Sequence, residues 1–113
     1  MDKKIIDKYV SLELALKVFR IDYDKFKSFK AANVYLDKLD AVIDQLTNDF
    51  HTLKVNLITK HHIDIKQVDK LRYSINGEVI SYTSDQLKKL TEDVMQEYLM
   101  TVESVYTERG WEV

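Results

Sequence analysis

One apolar stripe constrains the fold of this chain more than any other feature of its sequence. Apolar residues recur at alternating intervals of three and four in one continuous series: Phe29, Ala32, Leu36, Leu39, Ile43, Leu46, Phe50, Leu53 and Leu57. This spacing places all of them on one side of an α-helix over about four heptads. The sequence therefore predicts a long helix from about residue 25 to about residue 60, and its apolar side must pack against another helix.

Two further helices are candidates for that packing. A helix over about 3–20 carries one apolar stripe: Ile5, Tyr9, Leu12, Leu16 and Phe19. A helix over about 84–109 carries another: Leu87, Leu90, Val94, Tyr98, Val102 and Val105. We expect the three helices to form an intramolecular bundle. The alternative is a homodimer, in which two copies of the chain meet through the central seam of Leu36, Leu39, Ile43, Leu46, Phe50 and Leu53.

Helix breakers are nearly absent, since the 113 residues include no proline and two glycines. Residues 21–25 read as a turn or a new helix start, because Asp22 or Asp24 can accept hydrogen bonds from a first helical turn. With no glycine or proline to force a break, the first two helices could also be continuous.

The stretch LRYSINGEVISYT, residues 71–83, reads as a β-hairpin instead. Asn76-Gly77 is the strongest short hairpin signal, because a type I′ turn needs positive φ at both central positions. Pairing outward from this turn sets Ile75 opposite Glu78 and Tyr73 opposite Ile80. Before the hairpin, Ile65, Val68 and Leu71 suggest a short helical turn.

The expected fold is mainly α, a small helical bundle or long helical hairpin with one β-hairpin inserted before the C-terminal helix. We expect residues 1–113 to form a single helical domain. The opening sequence MDKKIIDKYV is too charged for a signal peptide, and the longest apolar runs have three residues. We therefore expect no membrane span and a cytoplasmic location.

Motifs that carry chemistry are missing from the sequence. Cysteine is absent, and glycines at 77 and 110 alone cannot form a phosphate-binding loop. His51, His61 and His62 lack the spacing that would bring three or four ligands to one metal ion. We expect no catalytic residue, no metal and no cofactor.

The favoured function is a non-enzymatic protein–protein interaction module: a small adaptor, inhibitor or regulatory subunit that presents amphipathic helices. The expected partner-binding residues are aromatic or apolar: Tyr73, Ile75, Ile80, Tyr82, Tyr106 and Trp111. Aromatic residues are enriched at binding hot spots. Two roles stay open for the apolar face of the hairpin, which could pack over the helices as a structural clip or be exposed to a partner.

Two other functions fit parts of the pattern. A winged-helix-like DNA-binding regulator with a C-terminal dimerisation helix would use Lys66, Lys70 and Arg72. Nucleic acid is nevertheless an unlikely partner, because the net charge is −2 and Glu78 lies at the hairpin tip. A magnesium-dependent all-α nucleotide hydrolase would combine Asp93 and Glu97 with facing acidic residues of the second helix: Asp37, Asp40 and Asp44.

Overall fold

The computed structural model describes residues 3–27 and 33–101. The chain forms α1 (Lys3–Phe26), α2 (Asn33–Thr59), β1 (Ile65–Gln67), β2 (Arg72–Ile75), β3 (Glu78–Ser81) and α3 (Ser84–Thr101). The prediction of a mainly α fold with a β-hairpin before the C-terminal helix is confirmed. The hairpin is part of a three-stranded antiparallel sheet with the order β1-β2-β3.

The helix boundaries differ from the sequence-based expectation. The turn expected at residues 21–25 is wrong, because α1 continues through them to Phe26. No glycine or proline in this stretch interrupts the backbone hydrogen bonds of the helix. Residue 25 belongs to α1, and the described part of the second helix begins at Asn33. The expected connection between the two helices lies outside the described residues. The described part of α3 ends at Thr101, so the expected extension to residue 109 lies outside the described residues. None of the helices described here is long and apolar enough to cross a membrane.

The apolar stripe of α2 packs against α1 of the same chain. Leu39 and Leu46 are fully buried, while Leu36, Ile43 and several others are half-buried. Val42 is also fully buried, although it lies outside the predicted stripe. The buried face of α2 is therefore turned slightly from the predicted seam, toward Val42.

Helix α1 forms the centre of the molecule. It contacts both α2 and α3, whereas α2 and α3 make few contacts with each other. Its buried side chains lie around most of its circumference: Ile6, Tyr9, Val10, Ser11, Leu12, Ala15, Leu16 and Phe19. A helix that is covered on most sides needs apolar residues all round rather than one narrow stripe.

Two apolar clusters share α1. The first joins its N-terminal half to the sheet, to the end of α2 and to the start of α3 through Tyr73, Ile75, Tyr82, Leu57 and Leu87. The second joins the rest of α1 to α2 and to the later turns of α3, where Val94 and Tyr98 are buried. The sheet therefore covers the N-terminal half of α1, and α3 follows α1 in the same direction.

The hairpin register is the predicted one, with Ile75 paired to Glu78 and Tyr73 paired to Ile80. Asn76 and Gly77 both have positive φ, 50° and 87°, as the type I′ turn requires. The expectation of a helical turn at Ile65, Val68 and Leu71 is wrong, because residues 65–67 form β1 and pair with β2.

Strand β1 is held to the hairpin turn by the side chain of Asn76. The backbone N–H of Asp64 donates to Asn76 Oδ1 at 2.8 Å, and Asn76 Nδ2 donates to the carbonyl of His62 at 3.2 Å. The backbone N–H of Asn76 donates to the carbonyl of Asp64 at 2.9 Å. One turn residue thus sets the hairpin and anchors the third strand.

Candidate protein-binding groove

The inner face of the hairpin belongs to the core. Tyr73 and Ile75 are 1% exposed and Tyr82 is 5% exposed, while Ile80 is half-buried. Tyr73 and Tyr82 meet edge to face with their ring centroids 5.9 Å apart. Tyr73, Ile75 and Tyr82 are therefore not presented to a partner in this structure, and the face acts as a clip over α1. Tyr106 and Trp111 lie outside the described residues.

The three basic residues of the DNA-binding alternative are all exposed: Lys66, Lys70 and Arg72. Lys66, however, lies on a strand and not on the short helix that this alternative requires. Lys66 lies on β1, where its Nζ is 3.6 Å from a carboxylate oxygen of Asp64. Arg72 Nε donates to Asp69 Oδ2 at 2.7 Å. Residues 65–67 are a strand, so the short helix that a winged-helix arrangement would place at about 64–71 is replaced by β1.

The acidic residues of the hydrolase alternative do not converge. Within residues 3–27 and 33–101, no group of three or more His, Asp or Glu side chains is placed to hold a metal ion. Asp93 instead pairs with Lys89 at 3.5 Å across one turn of α3.

The best candidate for a binding site is an apolar groove of about 680 Å³ between α1, α3 and the turn that joins β1 to β2. Its apolar lining comes from all three elements: Leu14, Val18, Leu71, Leu87 and Met95. Polar and charged residues complete the lining: Gln67, Lys70, Ser84, Lys88, Thr91 and Glu92. We call this site the Leu71 groove, because Leu71 is 39% exposed there.

The β1–β2 turn holds Leu71 in place through Asp69. Asp69 Oδ1 accepts hydrogen bonds from the backbone N–H groups of Leu71 at 3.0 Å and Arg72 at 2.9 Å. The Arg72 side chain and these backbone donors lower the pKa of Asp69. The ionised carboxylate is thus the form that binds the turn. Because these hydrogen bonds fix the backbone of the turn, the exposed Leu71 is held in a defined position on the surface.

A second open cavity, of about 480 Å³, adjoins the Leu71 groove. It is lined by Asp69, Lys70, Leu71, Arg72, Ser81 and Tyr82. Lys70 and Leu71 line both cavities, so Leu71 stands between two apolar depressions. An exposed apolar side chain flanked in this way adds to the surface that a partner could cover.

The groove is not evident from the main apolar stripes, although the sequence contains one signal for it. Helix α1 has a second apolar row beside its main stripe: Val10, Leu14, Val18 and Ile21. One packing partner does not require two rows, and Ile21 is 53% exposed. The second row therefore indicated that α1 has apolar surface beyond what α2 covers.

Comparison with curated proteins and comparison with solved structures each give no match for this chain. A family model described as YhjD protein matches residues 1–103, which is most of the sequence. The chain therefore belongs to the YhjD protein family.

Proposed function

We propose that this protein is a non-enzymatic protein–protein interaction module that holds an amphipathic helix of its partner in the Leu71 groove. In that role it is a small adaptor, inhibitor or regulatory subunit, and we place it in the cytoplasm. The absence of cysteine is consistent with a reducing compartment.

The observation that carries the proposal is the shape and lining of the groove. It runs along α3 from Ser84 to Met95, a span of about 16 Å at the rise of an α-helix. A helix that binds through side chains at i, i+3 or i+4, and i+7 needs a groove of about this length. Apolar floor residues surrounded by polar ones are the arrangement typical of such a groove.

Exposure of Leu71 makes the proposal testable by site-specific cross-linking. A photo-reactive p-benzoylphenylalanine replaces Leu71 in one variant and Val79 in a matched variant. Val79 is a fair control because it is 50% exposed and pairs with Ser74 on the outer face of the same sheet. We expect the Leu71 variant to form a discrete heterologous cross-link in source cells, and the Val79 variant to form none.

A second substitution separates specific binding from chance contact. Met95 lies in the groove and is half-buried, so Met95→Glu introduces a charge into the apolar lining. We expect it to remove the Leu71 cross-link while the far-ultraviolet circular dichroism spectrum stays unchanged. Identical products from both photo-reactive variants, products with nucleic acid, or products containing this chain alone would contradict the proposal.

A further inference from the structure

We propose that the helix held in the Leu71 groove is acidic, with carboxylates that pair with Lys70 and Lys88. This inference rests on the proposed function, because it specifies the chemistry of the partner that the groove would take. Its evidence is the charge of the side chains that line the groove, which is independent of the apolar lining.

Exposed lysines outside the groove differ in their pairing: several have an acidic partner, whereas Lys54 and Lys60 form no salt bridge within the described residues. Lys17 pairs with Glu13 at 3.6 Å, and Lys89 pairs with Asp93 at 3.5 Å. Lys66 and Lys27 have similar partners at 3.6 and 3.5 Å. Lys70 and Lys88 both line the groove, and neither forms a salt bridge within the described part of the chain.

Glu92 does not neutralise this pair of lysines. It lies one turn after Lys88 on α3, yet these two side chains do not form a salt bridge in the structure. A lysine that precedes a glutamate by four residues is the weaker orientation of such a pair on a helix. Among the described residues, the charged side chains that line the groove are therefore two lysines and one glutamate, and none of them forms a salt bridge there.

The groove is thus locally positive on a chain whose net charge is −2. Lys70 belongs to the turn and Lys88 to α3, so the two ammonium groups come from different walls of the groove. A helix with an apolar stripe flanked by carboxylates matches both features of the site. Complementary charge of this kind increases association rates and selects against partners of the wrong sign.

The test uses two designed helical peptides with the same leucine stripe, one with glutamates and one with lysines beside the stripe. Binding to the full chain is followed by fluorescence anisotropy at low and high salt. We expect the acidic peptide to bind about tenfold more tightly at low salt, and the difference to shrink at high salt because exposed charges are screened.

Charge reversal provides the matched comparison. The double variant Lys70→Glu, Lys88→Glu should bind the basic peptide more tightly than the acidic one. The control Lys54→Glu, Lys60→Glu changes two exposed lysines of the α2 end that do not line the groove, and it should keep the preference of the natural chain.

Three results would overturn the inference. Equal affinity for both peptides, lost in Leu71→Ser, would mean that the groove selects apolar surface alone, and the proposed function would stand without the acidic partner. Binding of neither peptide, together with a heterologous Leu71 cross-link, would refute the acidic helix as the occupant and leave the proposed function standing. Binding of neither peptide and no such cross-link would refute both. Sedimentation, run first, measures the oligomeric state of the chain at the concentrations used.

Discussion

Buried tyrosine hydroxyls are the main polar feature of this core. Tyr82 donates to Asp7 Oδ1 at 2.6 Å, which links the sheet to α1. Tyr98 donates to Asp49 Oδ2, which links α3 to α2. The Tyr73 hydroxyl is buried and has no hydrogen-bond partner among residues 3–27 and 33–101. Three similar side chains therefore make different contributions to stability.

Replacing Tyr73 with phenylalanine should stabilise the protein. A buried polar group without a partner costs about 1–3 kcal/mol, and the substitution removes that group while it keeps the ring. We expect Tyr73→Phe to raise the free energy of unfolding by about 1 kcal/mol in urea denaturation. The matched variant Tyr82→Phe loses a hydrogen bond to a carboxylate and should lower it by about 1–2 kcal/mol. A decrease in Tyr73→Phe would show that its hydroxyl has a partner.

The same tyrosines predict loss of stability at alkaline pH. Burial raises the pKa of Tyr73 to about 12, with a smaller contribution from Glu13. Burial and the hydrogen bonds to Asp7 and Asp49 raise the pKa of Tyr82 and Tyr98 above the usual range. Because these pKa values are higher in the folded chain than in the unfolded chain, the folded state holds more protons above pH ~10.

The tyrosine contribution is therefore complete below pH ~10 and falls as the pH rises toward the folded-state values. Urea unfolding at a series of pH values should show a falling free energy of unfolding over this range. The ultraviolet absorbance of tyrosinate should rise together with unfolding. A flat profile up to pH ~12 would contradict the assignment, and Tyr98→Phe should reduce the slope.

At the scale of elements, α3 begins with a reciprocal capping box. The backbone N–H of Gln86 donates to Thr83 Oγ1 at 3.1 Å, and the backbone N–H of Thr83 donates to Gln86 Oε1 at 2.8 Å. Each side chain thereby satisfies a backbone donor that a helix start leaves unpaired. Thr83 and the glutamine three residues later indicate this box in the sequence itself.

Removal of the cap should weaken the start of α3, which also forms one wall of the Leu71 groove. We expect Thr83→Ala to lower the free energy of unfolding by about 1 kcal/mol. Ser84→Ala, one residue further on, is the control and should change it by less than half as much, because no cap depends on that hydroxyl. Thermal unfolding followed by circular dichroism compares the two. Equal effects would indicate that the box does not stabilise the helix.

The hairpin was predictable to the register, whereas β1 was not recognised. Asn76-Gly77 fixes the hairpin locally, so the pairing of Tyr73 with Ile80 follows from sequence alone. Strand β1 has only three residues and depends on Asn76, twelve positions after Asp64. The alternation of buried Ile63, exposed Asp64, half-buried Ile65 and exposed Lys66 is a period-two signal, but it is too short to outweigh a helical interpretation.

At the scale of the whole molecule, the groove could not be derived from sequence because three distant segments form it. Leu14, Leu71 and Met95 belong to α1, to the β1–β2 turn and to α3. Each segment shows its own apolar pattern, but none shows which side of α1 the sheet leaves uncovered. That depends on the length of the sheet, which covers the N-terminal half of α1 only.

Because α1 contributes to both apolar clusters, the two clusters should unfold together. Ile6 and Tyr9 belong to the first cluster, and Leu12 and Leu16 to the second, within three turns of one helix. We expect far-ultraviolet and tyrosine near-ultraviolet signals to give coincident urea transitions, the mark of a two-state change.

Two substitutions extend this test. For Tyr82→Phe in the first cluster and for Leu46→Ala in the second, both signals should report the same loss of unfolding free energy. For Leu46→Ala we expect this loss to be about 2–5 kcal/mol. A transition that separates the sheet from the helices would contradict this cooperativity.

The central position of α1 also has a consequence for synthesis. It is the first helix of the described chain to leave the ribosome, and its apolar residues lie on most of its sides. Its burial is complete only when α3 has emerged, because Val94 and Tyr98 of α3 pack against it. Helix α1, which contributes to both apolar clusters, is therefore partly uncovered until α3 has been synthesised, and apolar surface exposed in this way is prone to aggregation and is bound by chaperones.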